Sequence, residues 1–306
     1  MKLSVSAWAH LSLLLITIVW GATFVVVKTA LADASPGVFN LLRMSIAFLI
    51  LVAVYRRHLW KLRPRQIAGG AVVGFFLAGG YQFQTAGLRL TTASKSAFIT
   101  GTVVVMVLLL SAVPLLRVAY QRRPGFRVAV GTVAAFCGLA LLTTPEGTQW
   151  SNFLTSVNPG DWLTLGCAVF FAFHLMAIAQ TSQFIVFHQL AMLQTGFATL
   201  FLAASFPLLG RPVLHWTPRL IAALLVTGFL ATAVAFAVQS WAQRLIPATH
   251  AALLFTMEPV FASLTSFLVL RERLGWRGGV GSLLVLAGIL ITELGGRSET
   301  PPVGAV

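Results

Sequence analysis

Long apolar stretches alternate with short polar breaks along the whole chain. Read as helices, they predict ten segments, at residues 8–31, 37–55, 66–88, 93–116, 126–143, 160–181, 186–209, 219–241, 247–270 and 277–294. The breaks contain helix-ending or turn-forming pairs such as Arg63-Pro64, Asn158-Pro159 and Ile246-Pro247. Each stretch reaches or approaches the about 20 residues that a helix needs to cross a hydrocarbon layer about 30 Å thick.

Composition supports a lipid environment for these segments. Of the 306 residues 58% are apolar and only 9% are charged, and the mean hydropathy is +0.90. One soluble core cannot bury that much apolar surface, so we predict an all-α integral membrane protein. The formal charge of +14 does not indicate nucleic-acid binding, because the basic residues occur in short runs between apolar segments.

Lysine and arginine in the short loops predict the orientation of the chain. The loops after the second and fourth segments are rich in basic residues: Arg56, Arg57, Lys61, Arg63, Arg65, Arg117, Arg122, Arg123 and Arg127. Placing both loops in the cytoplasm predicts a multi-pass protein of the bacterial inner membrane with both termini cytoplasmic. The second half agrees less well with the charge rule, because this orientation leaves a further set outside: Arg211, Arg219, Arg271, Arg273 and Arg277.

The chain also contains an internal repeat. Residues 81–101 align without gaps with residues 236–256, 155 positions later, so that Gln84 matches Gln239. This predicts a first five-helix repeat at 1–143, a linker loop at 144–159, a second repeat at 160–296 and a disordered tail at 297–306. Because five is odd, the second repeat is inverted relative to the first, an arrangement typical of secondary transporters that bind substrate at the repeat interface.

Glu258 and Arg43 are charged residues that lie well inside predicted spans, where charge is costly and is a default candidate for function. Glu258, at the centre of the ninth segment, is a candidate cation-binding or proton-coupling carboxylate; alternatively it satisfies backbone groups disturbed by Pro259. Arg43, in the second segment, is a candidate partner of Glu258 or of a substrate carboxylate; alternatively it extends toward the interface or joins two helices.

Uncharged polar residues supply the remaining candidates for a binding pocket. His174 is a candidate hydrogen-bonding or proton-carrying residue, or a neutral link between two helices. Gln84, Gln239 and Gln243 carry amides that both donate and accept, which suits zwitterionic or mixed polar ligands; alternatively they connect helices.

Aromatic residues are candidate walls for an organic solute. Trp20 and Tyr81 are favoured over Trp241, with ordinary helix packing as the alternative. Lys95 and His250 match in the repeat and begin two segments, so they are either gate residues or solvent-facing ones.

The sequence contains no pattern of an ATP-driven or metal-dependent machine. It shows no Walker loop, no metal-ligand cluster and no paired catalytic carboxylates, and we predict no metal and no cofactor. A secondary transporter of small metabolites is therefore favoured, with a small-molecule substrate, the lipid bilayer and protons as candidate partners and one chain sufficient for the pathway. The alternative is an integral membrane enzyme acting on a lipid-linked substrate, although clustered Asp, His or Arg at one interface is not seen.

Several stretches resemble the EamA transporters of the drug/metabolite transporter superfamily. They are IVWGATFVVVK (18–28), SPGVFNLLRM (35–44), TTASKSAFITG (91–101), GDWLTLGCAVFFAFHLM (160–176) and the residues 230–274 around TMEPVF. The resemblance implies ten helices around a central cavity and the export or exchange of small organic solutes such as amino acids. It carries over Trp20, Tyr81, Gln84, His174, Gln239 and Glu258 as cavity residues. The fourth segment departs from the family pattern, since Leu108 stands where relatives often have proline, so the sequence does not support a symmetric role for segments four and nine.

Overall fold

The computed structural model describes residues 4–57, 62–113, 125–144, 146–148, 158–208, 211–273 and 275–295. The predicted tail and the basic loop at 114–124 lie outside these ranges, as does most of the predicted linker loop. The side chain of Leu108 is also outside the described part.

The described residues of the first half form the α-helices α1 (Val5–Ala30), α2 (Pro36–Tyr55), α3 (Pro64–Leu90), α4 (Ala93–Thr100), α5 (Val103–Ala112) and α6 (Phe126–Thr143). The second half forms α7 (Pro159–Thr181), α8 (Phe187–Ser205), α9 (Pro218–Leu225), a π-helix (Val226–Val234), α10 (Ala235–Ala242), α11 (Ala248–Phe255), α12 (Glu258–Leu270) and α13 (Trp276–Gly295). No β-strand occurs among the described residues; one isolated antiparallel bridge joins Ala34 to Leu214. The all-α prediction is confirmed for this part of the chain.

Local sequence explains where these helices begin. Prolines stand in the first turn of α2, α3, α7 and α9, where a missing backbone donor costs nothing. Side-chain oxygens of Ser4, Thr92 and Thr217 accept from backbone N–H groups three residues later. Asn158 and Asp161 form a reciprocal capping box at the start of α7.

In the part of the chain that the structure describes, five helical stretches are long and apolar enough to cross a membrane: Val5–Ala30, Pro36–Tyr55, Ala93–Ser111, Pro159–Thr181 and Pro218–Ala242. Ala129–Leu141 and Glu258–Leu270 are shorter apolar helices within the described residues. The chain is thus a multi-pass membrane protein. The other predicted spans also coincide with helices, within a few residues of the predicted bounds.

The fourth predicted segment is broken, and its break matches the break in the ninth. α4 ends at Thr100 and α5 begins at Val103, while α11 ends at Phe255 and α12 begins at Glu258. The ends of α4 and α11 are 155 positions apart, and so are the starts of α5 and α12. The first break needs no proline, and the two breaks are neighbours, since a Cβ built on Gly101 would lie 3.2 Å from the ring of Pro259. Segment four is therefore broken at the position that matches the break in segment nine, although it lacks the proline that relatives often have.

Close packing of α6 against α13 is reciprocal. A Cβ on Gly138 would lie 2.5 Å from the carbonyl oxygen of Gly281, and one on Gly288 would lie 2.4 Å from that of Gly131. Only glycine allows two backbones to come this near. The remaining long helices pack around a central cavity, with α3 against α7 and α8, α1 against α12, and α2 against α8 and the π-helix.

Candidate functional site

The cavity lies where both halves of the chain meet. It encloses about 730 Å³ of empty space, its opening included. Its wall consists of Trp20, Thr23, Phe24, Val27, Arg43, Tyr81, Gln84, Leu88, Thr100, Gly101, Val103, Phe171, His174, Leu175, Phe236, Gln239, Ala252, Phe255 and Glu258. A mostly apolar wall with a few converging polar groups is the usual composition of a small-molecule site.

Arg43 joins three parts of the wall and is itself almost fully buried, with 2% exposure. Its Nε donates to Thr232 Oγ1 at 2.7 Å and its Nη2 donates to Tyr81 Oη at 2.8 Å. The guanidinium carbon also lies 4.1 Å from the centre of the Tyr81 ring. Its contacts therefore hold α2, α3 and the π-helix together, and the structure shows no ion pair between Arg43 and the Glu258 carboxylate.

The π-helix supplies acceptors to side chains outside its own turn. The carbonyl oxygen of Ala231 accepts from Trp20 Nε1 at 2.8 Å and from Arg43 Nη2 at 3.4 Å. The Thr232 hydroxyl donates to the carbonyl of Thr227, five residues earlier. Such wider turns are frequent at functional sites because they redirect backbone groups.

Aromatic rings form a continuous lining. Trp20 meets Phe255 edge-on at 5.0 Å and Phe236 at 5.7 Å between ring centres, and Tyr81 meets Phe171 edge-on at 5.4 Å. The edge-on arrangement is the one that aromatic quadrupoles favour. The cavity therefore offers flat apolar surfaces beside its few polar groups.

His174 is held by a series of side-chain hydrogen bonds to residues that do not line the cavity. Its Nε2 lies 2.8 Å from Gln194 Oε1, and Gln194 Nε2 donates to Ser240 Oγ at 2.9 Å. With Nε2 donating to the amide oxygen, a neutral ring presents Nδ1 as an acceptor. Gln194 and Ser240 are both 0% exposed, so α7, α8 and α10 are tied together behind the ring.

The glutamines differ in position. Gln84 and Gln239 line the cavity, whereas Gln243 lies behind the wall. Gln239 Nε2 donates to Gln243 Oε1 at 2.9 Å, and Gln243 Nε2 donates to the carbonyl of Leu175 at 3.2 Å. Gln243 was predicted as a lining residue, but its contacts are those of a residue that orients Gln239.

Glu258 begins α12 at the helix break and lines the cavity. Within the described residues nothing hydrogen-bonds or ion-pairs with its carboxylate, and the side chain is partly exposed. The backbone there is tightly packed, because a Cβ on Gly21 would lie 2.7 Å from the Glu258 carbonyl oxygen and 2.7 Å from Phe261 Cβ. α1 thus fixes the position of the break.

Three other candidates lie outside the cavity wall. Trp241 packs in the neighbouring apolar core. Lys95 forms an ion pair with Asp161, with Nζ 2.6 Å from Oδ2, and the lysine side chain is 17% exposed. The ring of His250 lies 6.1 Å from that of His10. In the described ranges no group of three His, Cys, Asp or Glu side chains is arranged to hold a metal ion.

Residue-by-residue reasoning missed several wall residues, notably Phe171, Phe236 and Phe255. The repeat contained a signal for two of them. Phe236 matches Tyr81 and Phe255 matches Thr100 at the 155-residue offset, and all four line the cavity. Phe171 has no comparable signal, because one phenylalanine among many in an apolar helix is not distinguishable by sequence.

Comparison with known proteins gives a consistent result. The EamA-like transporter family matches the chain twice, over residues 7–144 and 158–294. An uncharacterized transporter of Archaeoglobus fulgidus is 34% identical over 287 residues, covering 94% of this chain and 86% of the relative. The uncharacterized transporter YoaV of Bacillus subtilis is 24% identical over 285 residues, covering 92% and 95%.

A solved crystal structure aligns with a TM-score of 0.69 at 17% identity, covering 94% of this chain and 96% of that chain. At this identity the likeness shows the fold alone. The family and both relatives are described as transporters, so the alternative of a membrane enzyme is set aside and the chain is not an enzyme.

Proposed function

The chain belongs to the EamA-like transporter family, and we propose that it is a secondary transporter that exports small organic metabolites, amino acids or related solutes, by alternating access. The observation that carries this proposal is the central cavity, whose wall is built from both halves of the chain. A site at the interface of two repeats is the arrangement on which rocking transporters rely.

Three observations support ten membrane helices in two inverted repeats. The family matches each half separately. The helix breaks at residues 101–102 and 256–257 have the same 155-residue offset as the aligned sequences. The α6–α13 contact is reciprocal, as contacts across a pseudo-two-fold axis are.

A sealed end supports alternating access. Where α1 and α3 end and α4 and α7 begin, Lys28 Nζ lies 2.8 Å from the Leu88 carbonyl and 2.7 Å from the Thr91 carbonyl. This caps free carbonyls at the end of α3, where a cation is favourable. The Lys95–Asp161 pair joins the two halves at the same end. We infer that this end faces outside and is closed in this state.

The opposite end is then cytoplasmic, with both termini on that side of a bacterial inner membrane. Arg56, Arg57, Arg63 and Arg65 support this orientation, because all four are exposed where α2 ends and α3 begins. A single chain contains the whole cavity, so a monomer is sufficient, and the proposal needs no cofactor.

Within the cavity we assign substrate contact to Trp20, Tyr81, Gln84, His174 and Gln239, with Gln243 acting through Gln239. Arg43 is assigned a structural role, since its Nε and Nη2 donate to Thr232, Tyr81 and the carbonyl of Ala231. Glu258 is the charged group available to a solute or to a proton.

Solute flux into proteoliposomes tests the proposal. We expect saturable counterflow for at least one solute in a panel of amino acids, amines, purines and organic acids. Gln239→Ala and His174→Ala should reduce flux at least tenfold. His188→Ala is a matched control, because His188 lies in α8 outside the cavity wall. Absence of saturable flux across the whole panel would refute transport by this chain alone.

A further inference from the structure

The amides of Gln243 and Gln239 form a chain with a defined direction. The backbone carbonyl of Leu175 can only accept, so Gln243 must present Nε2 to it. Its Oε1 therefore faces Gln239, which must donate with Nε2. The Gln239 Oε1 is left over as an acceptor.

This oxygen is buried and has no hydrogen-bond partner within the described residues. Rotating the Gln239 amide does not help, because it would place two acceptor oxygens against each other. Buried carbonyl groups are nearly always paired. Gln239 is 1% exposed and belongs to the cavity wall, so its oxygen is an unused acceptor in a residue that lines the cavity.

Glu258 is a second acceptor on the same wall. No described residue pairs with its carboxylate, whereas the guanidinium of Arg43 already donates to Thr232 and Tyr81 and is 2% exposed. The carboxyl group of Glu258 is thus an acceptor available to a solute donor.

The third feature is the aromatic lining beside these acceptors. Trp20 and Phe255, in edge-on contact, share the wall with Glu258 and Gln239. Aromatic faces attract cations, and their bodies pack against apolar groups.

Resting on the transport function proposed above, we propose that the cavity recognises the protonated amino group of its solute. The Gln239 Oε1 and the Glu258 carboxylate accept from the ammonium, which has three donors and no acceptor. The aromatic wall receives the apolar body. The substrate class is therefore organic amines with an apolar or aromatic body, and a carboxylate on the solute is not required for binding.

Three matched probes test this on the wild-type protein: phenethylamine, phenylalanine and 3-phenylpropionate. They share the ring and the two-carbon chain and differ in the amino and carboxyl groups. In thermal unfolding of the detergent-purified protein, we expect phenethylamine and phenylalanine to raise the midpoint and 3-phenylpropionate to leave it unchanged. No shift with phenethylamine, or an equal shift with 3-phenylpropionate, overturns the proposal without any need for a variant.

Two variants locate the binding group. Glu258→Gln and Gln239→Leu should each weaken phenethylamine binding at least tenfold. Gln82→Leu is the matched control, because Gln82 Oε1 is also buried and unpartnered among the described residues but does not line the cavity. Unchanged affinity in Glu258→Gln contradicts the assignment.

Flux measurements distinguish amine recognition from the transport function on which it rests. Saturable flux of solutes without an amino group, insensitive to Glu258→Gln, would overturn amine recognition and leave the transporter assignment standing. Absence of flux for any solute would overturn the transporter assignment itself.

Discussion

Replacing Lys95 with methionine should weaken the seal at one end of the cavity. Lys95 Nζ lies 2.6 Å from Asp161 Oδ2, and the two side chains are 17% and 4% exposed. Exposed ion pairs contribute about 0.2–1 kcal/mol, whereas removing one partner of a buried pair costs about 3–5 kcal/mol. Partial burial places this pair between the two classes, at about 2 kcal/mol, which corresponds to about 30-fold in an equilibrium constant.

Chemical labelling of a cysteine inside the cavity measures how often the end at Lys95 and Asp161 opens. Leu88 lines the cavity next to the sealed end and is 2% exposed. A Leu88→Cys probe, with Cys137 and Cys167 replaced by alanine, reports opening through its rate of reaction with a membrane-impermeant maleimide. We expect Lys95→Met to raise that rate by about 10- to 30-fold in proportion to the open population.

Two controls decide whether the ion pair is responsible. Lys95→Arg keeps the charge and should leave labelling near the wild-type rate. In a double-mutant cycle with Asp161→Asn, the effects of the two changes should be strongly non-additive. If their effects on the logarithm of the rate simply add, the pair does not hold this end closed and the reasoning is refuted.

Further predictions concern packing, the buried arginine and pH. Gly21→Ala should lower the thermal midpoint and the solute flux, because the added methyl group would lie 2.7 Å from a backbone oxygen. Gly279→Ala should leave both unchanged, because no described neighbouring atom lies within 4 Å of its added methyl group. Equal effects of the two substitutions would contradict the packing argument. Arg43→Lys should cost about 2 kcal/mol of stability, seen as a lower unfolding midpoint, because an ammonium cannot reproduce the forked contacts. Hydrogen bonds, first from Arg219 and then from Thr217, lower the pKa of Asp33 below its ordinary 3.8. The ionised carboxylate of Asp33 therefore stabilises the folded protein above pH 3.8, and this stabilisation is lost as the pH falls through the lowered pKa. The unfolding midpoint should therefore fall on acidification below pH 3.8, and Arg219→Met should flatten that fall; a fall of the same size in the variant would exclude this pair as its cause.

Arg43 and Glu258 illustrate why intramembrane charge does not by itself indicate a shared role. Both line one cavity, yet Arg43 donates to Thr232 and Tyr81, whereas no described residue hydrogen-bonds to the carboxylate of Glu258. A guanidinium that holds three helices rigidifies the wall, while an unpaired carboxylate remains available to bind. The hydrogen-bond partners, and not the residue types, distinguish structural from binding charge.

Sequence alone predicted where the apolar helical segments lie, although it did not predict the breaks within the fourth and ninth of them. The predicted segments at 126–143 and 160–181 agree with α6 and α7 to within one residue at each end. Segment length and turn-forming residues are local properties, and the hydrocarbon layer sets the length directly. The repeat also identified Gln84 and Gln239 together, because they occupy matched positions in its two copies and both line the cavity.

Tertiary structure decided which side chains meet. Arg43 bonds to Thr232, 189 positions away, and Gln243 lies behind the wall although it is one turn from Gln239. The break in the fourth segment contains no proline of its own and lies against Pro259, a contact that only the tertiary structure shows. A membrane helix is apolar on its lipid face and on much of its packed face, so hydrophobic periodicity does not specify its rotation. Only packing fixes that rotation, and with it the fact that Gln239 Oε1 and the Glu258 carboxylate have no hydrogen-bond partner among the described residues.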